Sequence, residues 1–364
     1  MVANHVPYIN IAPGEIIKRD LETLNWTQDD LAKIIGMSTK AVNEIITTKT
    51  PINIESARLL SKAFGQSPQF WLNLETNYRL RLKTDEKKEK EAAIKALIYK
   101  YMPVREMIKK NWLPDYKNLD ELIKAVKKFW QIDEIDFSFL DQEALPDFRK
   151  SRAYLQYNKY YALCWYQKAK TSAKNIQVAA YCKSDLEELA NRLHRYTVME
   201  KGIDTFLEQL NQAGVKFLVL NHLQKTYIDG ASFYDQNNPV IVYTGRYNRS
   251  DNFWFTMAHE IAHILFRLQK GDYFIDDLES LENLSEKESN FFAEKILKVN
   301  EILDFFEGKY RYIPESLVKE CRDQFDIAAG IIVSVLQYYK KLSRKSLNRY
   351  KELISDQIPL QYKI

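Results

Sequence analysis

The segment FTMAHEIAHILF, from Phe255 to Phe266, sets two histidines and a glutamate into an otherwise apolar run. A run of this kind reads as a buried helix, where polar groups are costly unless something satisfies them. His259 and His263 stand four residues apart, so a helix places both imidazoles on one face. The chain has five histidines in all, and two of them fall here. A divalent cation between the rings would remove the penalty, and Glu260 completes an H-E-x-x-H pattern.

In that pattern the neutral imidazoles of His259 and His263 hold Zn²⁺, one ion per chain. A third protein ligand completes the set, and the fourth position stays open to water. Glu260 is the expected general base: it takes the water's proton as the oxygen attacks a metal-polarised peptide carbonyl. The next patterned helix, SEKESNFFAEKIL (285–297), has an inward stripe of Ala293, Ile296 and Leu297 that extends back onto Glu286 and Asn290. Glu288 falls off that stripe, and with Ser285 it forms an S-x-x-E capping box. Glu286 is therefore the expected third metal ligand, and Asn290 the expected partner of a histidine's outer nitrogen.

Composition bounds the rest. At 364 residues two or three domains are expected, and 46% hydrophobic with 28% charged residues describes a soluble globular chain. Ten glycines and ten prolines against 23 tyrosines and 18 phenylalanines point to helices with aromatic packing. A net charge of +4 is too mild to establish a nucleic-acid partner by itself. Cys164, Cys182 and Cys321 form no CxxC pair, so reduced, mostly buried thiols are expected. MVANHVPYINIAPGE has no basic region followed by an apolar run, and the longest apolar stretch, AAGIIVSVL, is too short for a bilayer. A cytoplasmic protein without a membrane partner is expected.

Residues 13–83 read as a run of short helices. Thr27 and Asp30 form a capping pattern at TQDDLAKII, Gly36 breaks that helix, and Ser38 caps STKAVNEIITT. Helix, tight turn and helix make the helix-turn-helix plan. Thr39, Lys40, Asn43 and Thr47 would face outward, opposite Val42 and Ile45, with side chains suited to base edges and phosphates. Ser38 opens this DNA-binding set, and Gln28 is placed for a phosphate contact.

The stretch from APGEIIKRDL through SPQFWLNLETNYRLRL closely resembles the HigA-type antitoxin branch of the XRE, lambda-repressor-like family. That resemblance covers roughly residues 8–83. It implies a homodimer on double-stranded operator DNA, autoregulation, and in many relatives neutralisation of a small RNase toxin.

The charge run KTDEKKEKEAAIK marks a boundary, so domains are expected at 1–83, a charged linker and helical region at 84–200, and a third segment at 201–364. VKFLVLNHL (215–223) reads as a strand, and TYIDGASFYDQNNPVIVYTG (226–245) as two strands joined at DQNNP. The chain is thus mainly α with a small β-sheet, an α+β class. GASFYDQNNPVIVYTGRYNRSDNFWFTMAHEIAHILF followed by EKESNFFAEKIL looks like the ImmA/IrrE metallopeptidase family. The resemblance implies a thermolysin-like, gluzincin-like zincin domain that cleaves a partner protein, often a repressor. It maps His259, His263 and Glu286 to the metal and Glu260 to the base. Ser289 stands where relatives have Ala, and KILKVN where they commonly end in Leu-Met-Pro.

Two functions follow. One is a DNA-binding regulator joined to a zinc endopeptidase that cleaves a repressor or toxin-like partner. The other is a non-enzymatic antitoxin or repressor whose zinc domain is structural or sensory. A purely structural zinc site is closed by a fourth ligand and has no use for a base, so Glu260 favours the enzyme. A general degradative protease sits badly with a DNA-binding module.

Overall fold

In the computed structural model, residues 10–82, 86–142, 157–266, 268, 273–276, 284–308 and 313–364 are described, with the side chains of 273–276 and 284–286 outside that description. The chain divides into two compact units, Met1–Ala93 and Ile94–Ile364.

In the first unit, local signals set each helix. α1 (Pro13–Leu24) is followed by α2 (Gln28–Ile35), where Thr27 and Asp30 form the reciprocal capping box. Gly36, at φ 70°, ends α2 in the left-handed region that favours glycine. Ser38 caps α3 (Thr39–Ile46) by accepting from the Ala41 N–H at 3.1 Å. Asn53 and Ser67 cap α4 (Ile54–Phe64) and α5 (Pro68–Leu80) in the same way. The apolar faces meet in one core of Ile17, Leu21, Leu31, Val42, Ile45, Leu60 and Trp71. Each such buried side chain contributes roughly 1.5–3 kcal/mol.

The second unit is built on helices and one small sheet. α6 (Glu86–Tyr101) begins in the charge run, and α7 (Val104–Lys109), α8 (Leu119–Trp130), α9 (Ser138–Gln142) and α10 (Lys159–Ala173) follow. α11 (Lys183–Asn191), α12 (Leu193–Tyr196) and α13 (Gly202–Gln212) lead into the strands β1 (Lys216–Val219), β2 (Gly230–Asp235) and β3 (Asn238–Tyr243). α14 (Ser250–Phe266) carries the H-E-x-x-H segment, and β4 (Tyr273–Asp276) and α15 (Leu284–Ile296) come next. α16 (Val299–Phe306), α17 (Glu315–Phe325) and α18 (Ala329–Tyr338) complete the main helices.

Among the described residues the sheet order is β1-β3-β2-β4, with β1 parallel to β3 and the other pairs antiparallel. Alternation along the strands sends residues to two different cores. Phe217, Ile241 and Tyr243 pack with Phe253, Met257 and Ile261 of α14. Leu218, Ala231, Phe233, Val240 and Val242 pack with Ile98, Met107, Val126 and Trp165 of the earlier helices. The sheet is therefore covered on both faces. This is why residues 94–200, expected as a region apart from 201–364, fall in one compact unit with them. The charge run at 83–95 does hold the boundary, between Ala93 and Ile94, and Ile98 and Tyr101 at the end of α6 are already buried in the second core.

The fold is mainly helical with a small sheet. The strand expected within 215–223 is β1, and the two expected within 226–245 are β2 and β3; β4 was not anticipated. The three cysteines are free thiols, with Cys164 and Cys321 buried. Among the described residues no helix is long and apolar enough to cross a membrane.

Candidate metal centre and nucleic-acid interface

α14 runs through the middle of the second unit, and all three polar side chains of its motif are fully buried. Its first turn is clamped: Asp251 accepts from Arg249 through both carboxylate oxygens, at 3.0 and 2.5 Å, and from the Ser334 hydroxyl. Lys351 lies 3.8 Å from the same carboxylate. Burial lowers the Lys351 ammonium below its ordinary range, while Asp251 opposes the shift.

Further along the helix, His259 Nε2 and His263 Nε2 stand 3.0 Å apart. Their other nitrogens are held by neighbours on α15. Asn290 Oδ1 is 2.9 Å from His259 Nδ1, and Ser289 Oγ is 3.3 Å from His263 Nδ1. The Asn290 carbonyl oxygen can only accept, so His259 carries its proton on Nδ1 and presents an Nε2 lone pair. A nitrogen facing another at this distance needs a proton or a cation between them. Two ligands of one ion, each about 2.0–2.1 Å from it, can reach such a separation. The two imidazoles suit two of the positions around a zinc ion, and among the described residues no third ligand joins them.

Glu260 points toward the start of β2. A Cβ added at Gly230, the first residue of β2, would run into Glu260 Oε1 and approach Thr256 Cγ2 at 3.0 Å. The bare Cα of Gly230 thus makes the space in which the carboxylate lies. A separate cavity of about 590 Å³ opens beside the first turn of α14, lined by Tyr196, Trp254, Arg322 and Glu352 among others. It touches none of the H-E-x-x-H side chains.

In the first unit Thr39, Lys40 and Asn43 on α3 and Thr47 at its C-terminal cap are exposed, while Val42, Ile45 and Ile46 are buried. Not all of the exposed side chains are equally available. Ser38 Oγ is engaged at the cap, Thr47 donates to the Asn43 carbonyl at 2.7 Å, and Thr39 donates to Asp29 at 2.8 Å. Hydrogen bonds from Lys33 and Thr39 hold the Asp29 carboxyl below its ordinary range. Among the described residues the side chains of Lys40 and Asn43 enter no hydrogen bond. Gln28, half-buried, is the first residue of α2.

A helix-turn-helix family profile matches residues 17–71, and a profile described as IrrE N-terminal-like domain matches residues 198–340. Virulence-associated protein I of Dichelobacter nodosus is 33% identical over 85 residues, which is 23% of this chain and 77% of that protein. The chain belongs to the XRE-type helix-turn-helix family and carries an IrrE N-terminal-like domain. Virulence-associated protein A' of the same organism is 42% identical over 69 residues, 19% of this chain and 60% of that protein. Among solved structures, Pseudomonas aeruginosa antitoxin HigA with the higBA promoter is 33% identical, covering 20% of this chain and 79% of that one, with a TM-score of 0.19.

Within the IrrE-like domain the structure brings His259, His263 and Asn290 together and buries Glu260 beside them. The Glu286 backbone is helical in α15, and its side chain lies outside the described residues. Glu288 is exposed. Sequence reasoning missed Gly230, and it noted Ser289 only as a departure from the Ala of relatives. Gly230 precedes the motif by a whole hairpin, and nothing in the sequence near it signals a carboxylate. In the helix-turn-helix domain it missed Gly14, which lies inside α1 because a Cβ there would strike the Ile46 carbonyl.

Proposed function

We propose that the protein is a homodimeric, operator-binding regulator whose IrrE-like domain is a zinc-dependent endopeptidase acting on a partner protein in the cytoplasm. The observation that carries the peptidase reading is the convergence of His259 Nε2 and His263 Nε2 at 3.0 Å, with Glu260 buried on the same helix. His259 and His263 would hold the ion. Position 286 lies one turn before Ser289 and Asn290 on α15, which supports Glu286 as the third ligand. When bound, zinc supplies Lewis-acid polarisation of the scissile carbonyl and acidifies water. Glu260 takes the proton of the attacking water and returns it to the leaving amine. The apolar wall around α14 keeps the carboxylate in a medium where its charge acts strongly.

For the helix-turn-helix domain, Lys40 and Asn43 are the side chains of α3 best placed for phosphate and base contacts. Ser38, Thr39 and Thr47 fix the shape of that surface. Two copies would address half-sites about one helical turn apart.

Elemental analysis of purified, metal-loaded protein tests the site. About one zinc per chain is expected, lost in His259→Ala and in His263→Ala. Absence of any divalent metal under full loading conditions would remove the peptidase reading.

A further inference from the structure

The cavity beside the first turn of α14 gathers hydrogen-bond donors and carboxylates that the fold itself leaves unused. Its volume, about 590 Å³, is that of a small-molecule site. Trp254 lines it and is 2% exposed, yet its indole N–H enters no hydrogen bond among the described residues. Unlike the Trp71 indole N–H, which is sealed inside the first unit, this one is not closed off, so it opens into the cavity. A buried donor without an acceptor is costly, and water or a ligand atom belongs beside it. The start of α18 lines the same cavity. Ala328 gives it no side-chain cap, and the N–H groups of Ala329 and Gly330 have no acceptor within the helix. The charged lining has the other character: Glu200, Asp323, Asp326 and Glu352 against the single guanidinium of Arg322. Arg322 is already engaged, donating to Asp323 at 2.7 and 2.5 Å. The side chains of Glu200, Asp326 and Glu352 enter no hydrogen bond or ion pair among the described residues.

We propose that this cavity binds a basic amino acid. Its α-carboxylate accepts from the Trp254 indole N–H and the start of α18, and its side-chain ammonium or guanidinium lies among Glu200, Asp326 and Glu352. The donors call for a carboxylate, the three carboxylates for a cation, and their excess for a ligand of net positive charge. Free arginine or lysine offers this chemistry, and so does the C-terminal basic residue of a peptide. None of the H-E-x-x-H side chains lines the cavity, so the proposal stands apart from the zinc reading. The cavity still adjoins the H-E-x-x-H helix: the Ser250 N–H donates to the Glu352 carbonyl at 2.9 Å, and both residues line it. An occupant therefore reaches the first turn of α14 and the C-terminal segment that holds that turn.

Calorimetric titration of the full chain tests this, with L-arginine, L-lysine, citrulline, agmatine and a short peptide ending in arginine as probes. Arginine or lysine should bind saturably, one per chain. Citrulline, which lacks the cation, and agmatine, which lacks the carboxylate, should each bind about tenfold more weakly or worse, the effect of losing one hydrogen bond to a charged group. Trp254→Phe keeps an aromatic ring but removes the N–H, and should weaken arginine about tenfold while leaving agmatine unchanged. The double variant Asp326→Asn, Glu352→Gln changes only exposed side chains, and asparagine tolerates the left-handed backbone at 326, φ 51°. It should weaken arginine and agmatine together and leave citrulline unchanged. A peptide tighter than free arginine assigns the ligand to a chain terminus, and the reverse order assigns it to the free amino acid. No saturable binding of arginine, lysine or the peptide would overturn the proposal. Agmatine equal to arginine, or parental arginine affinity in the double variant, would overturn it as well.

Discussion

Gly230 is the residue where the sheet and the candidate base constrain each other. It sits at the start of β2, paired with Tyr243 and Asp276, so its backbone cannot retreat without breaking register. A methyl group there meets the end of a flexible side chain, Glu260, rather than another backbone. The cheap relief is rotation of that carboxylate. Gly230→Ala should therefore fold and keep its zinc while losing partner cleavage by about 10²-fold, the effect of an ångström-scale misplacement of a reacting group. Single-turnover cleavage beside metal content checks this. Parental cleavage in Gly230→Ala would mean that the Glu260 position is not critical. Gly14 makes the contrast: there the obstruction is the Ile46 carbonyl, a backbone atom, and the domain itself must give way.

At the scale of elements, α14 is a plank whose middle carries the site and whose first turn is pinned by Asp251. The Asp251 side chain is 5% exposed and meets Arg249, Ser334 and Lys351, itself 8% exposed. Asp251→Ala would strand a buried ammonium and a hydroxyl, at a cost of roughly 3 kcal/mol, the low end for breaking a buried pair because Arg249 is partly solvated. A fall in the denaturation midpoint with zinc stoichiometry preserved in the folded protein is the expected result. No change would show that Gln337, which also accepts from Lys351 at 2.7 Å, suffices alone.

Much of this was legible in the sequence because short-range rules governed it. The Thr27–Asp30 box, the Gly36 stop, the Ser38 cap and the His259/His263 spacing all act within a turn of helix. Long-range facts were not legible. Nothing near Ala231 or Phe233 says that the helices before residue 200 cover that face, since an alternating strand specifies that it has two faces and not what lies on each. Ser289 shows in the sequence only as a Ser where relatives have Ala, because its neighbour in space, His263, is distant along the chain. On α3 the exposed stripe was legible, but the diversion of Thr39 to Asp29 and of Thr47 to its own helix was not. Asn43→Ala should cost about 1–3 kcal/mol in binding to the cognate operator while leaving non-specific DNA binding unchanged, as titration across salt concentrations would reveal.

For the whole molecule, the two compact units have separate cores, so damage to one chemistry need not damage the other. Glu260→Gln is the substitution that exploits this. Glutamine matches glutamate in size and fills the space beside Gly230, but its amide cannot take a proton from water at neutral pH. Zinc content should remain, because the His259 and His263 nitrogens are untouched. Operator binding should remain, because α3 belongs to a different core. Cleavage of the partner should fall by about 10² to 10⁴, the usual worth of a positioned general base. Asn43→Ala should give the reverse pattern, with cleavage retained and operator binding weakened. Partner levels and promoter output measured in cells carrying each variant separate the outcomes. If Glu260→Gln leaves partner turnover and the regulatory response both at parental values, the buried carboxylate is not a base. The IrrE-like domain then serves as a structural or sensing module attached to a DNA-binding antitoxin or repressor.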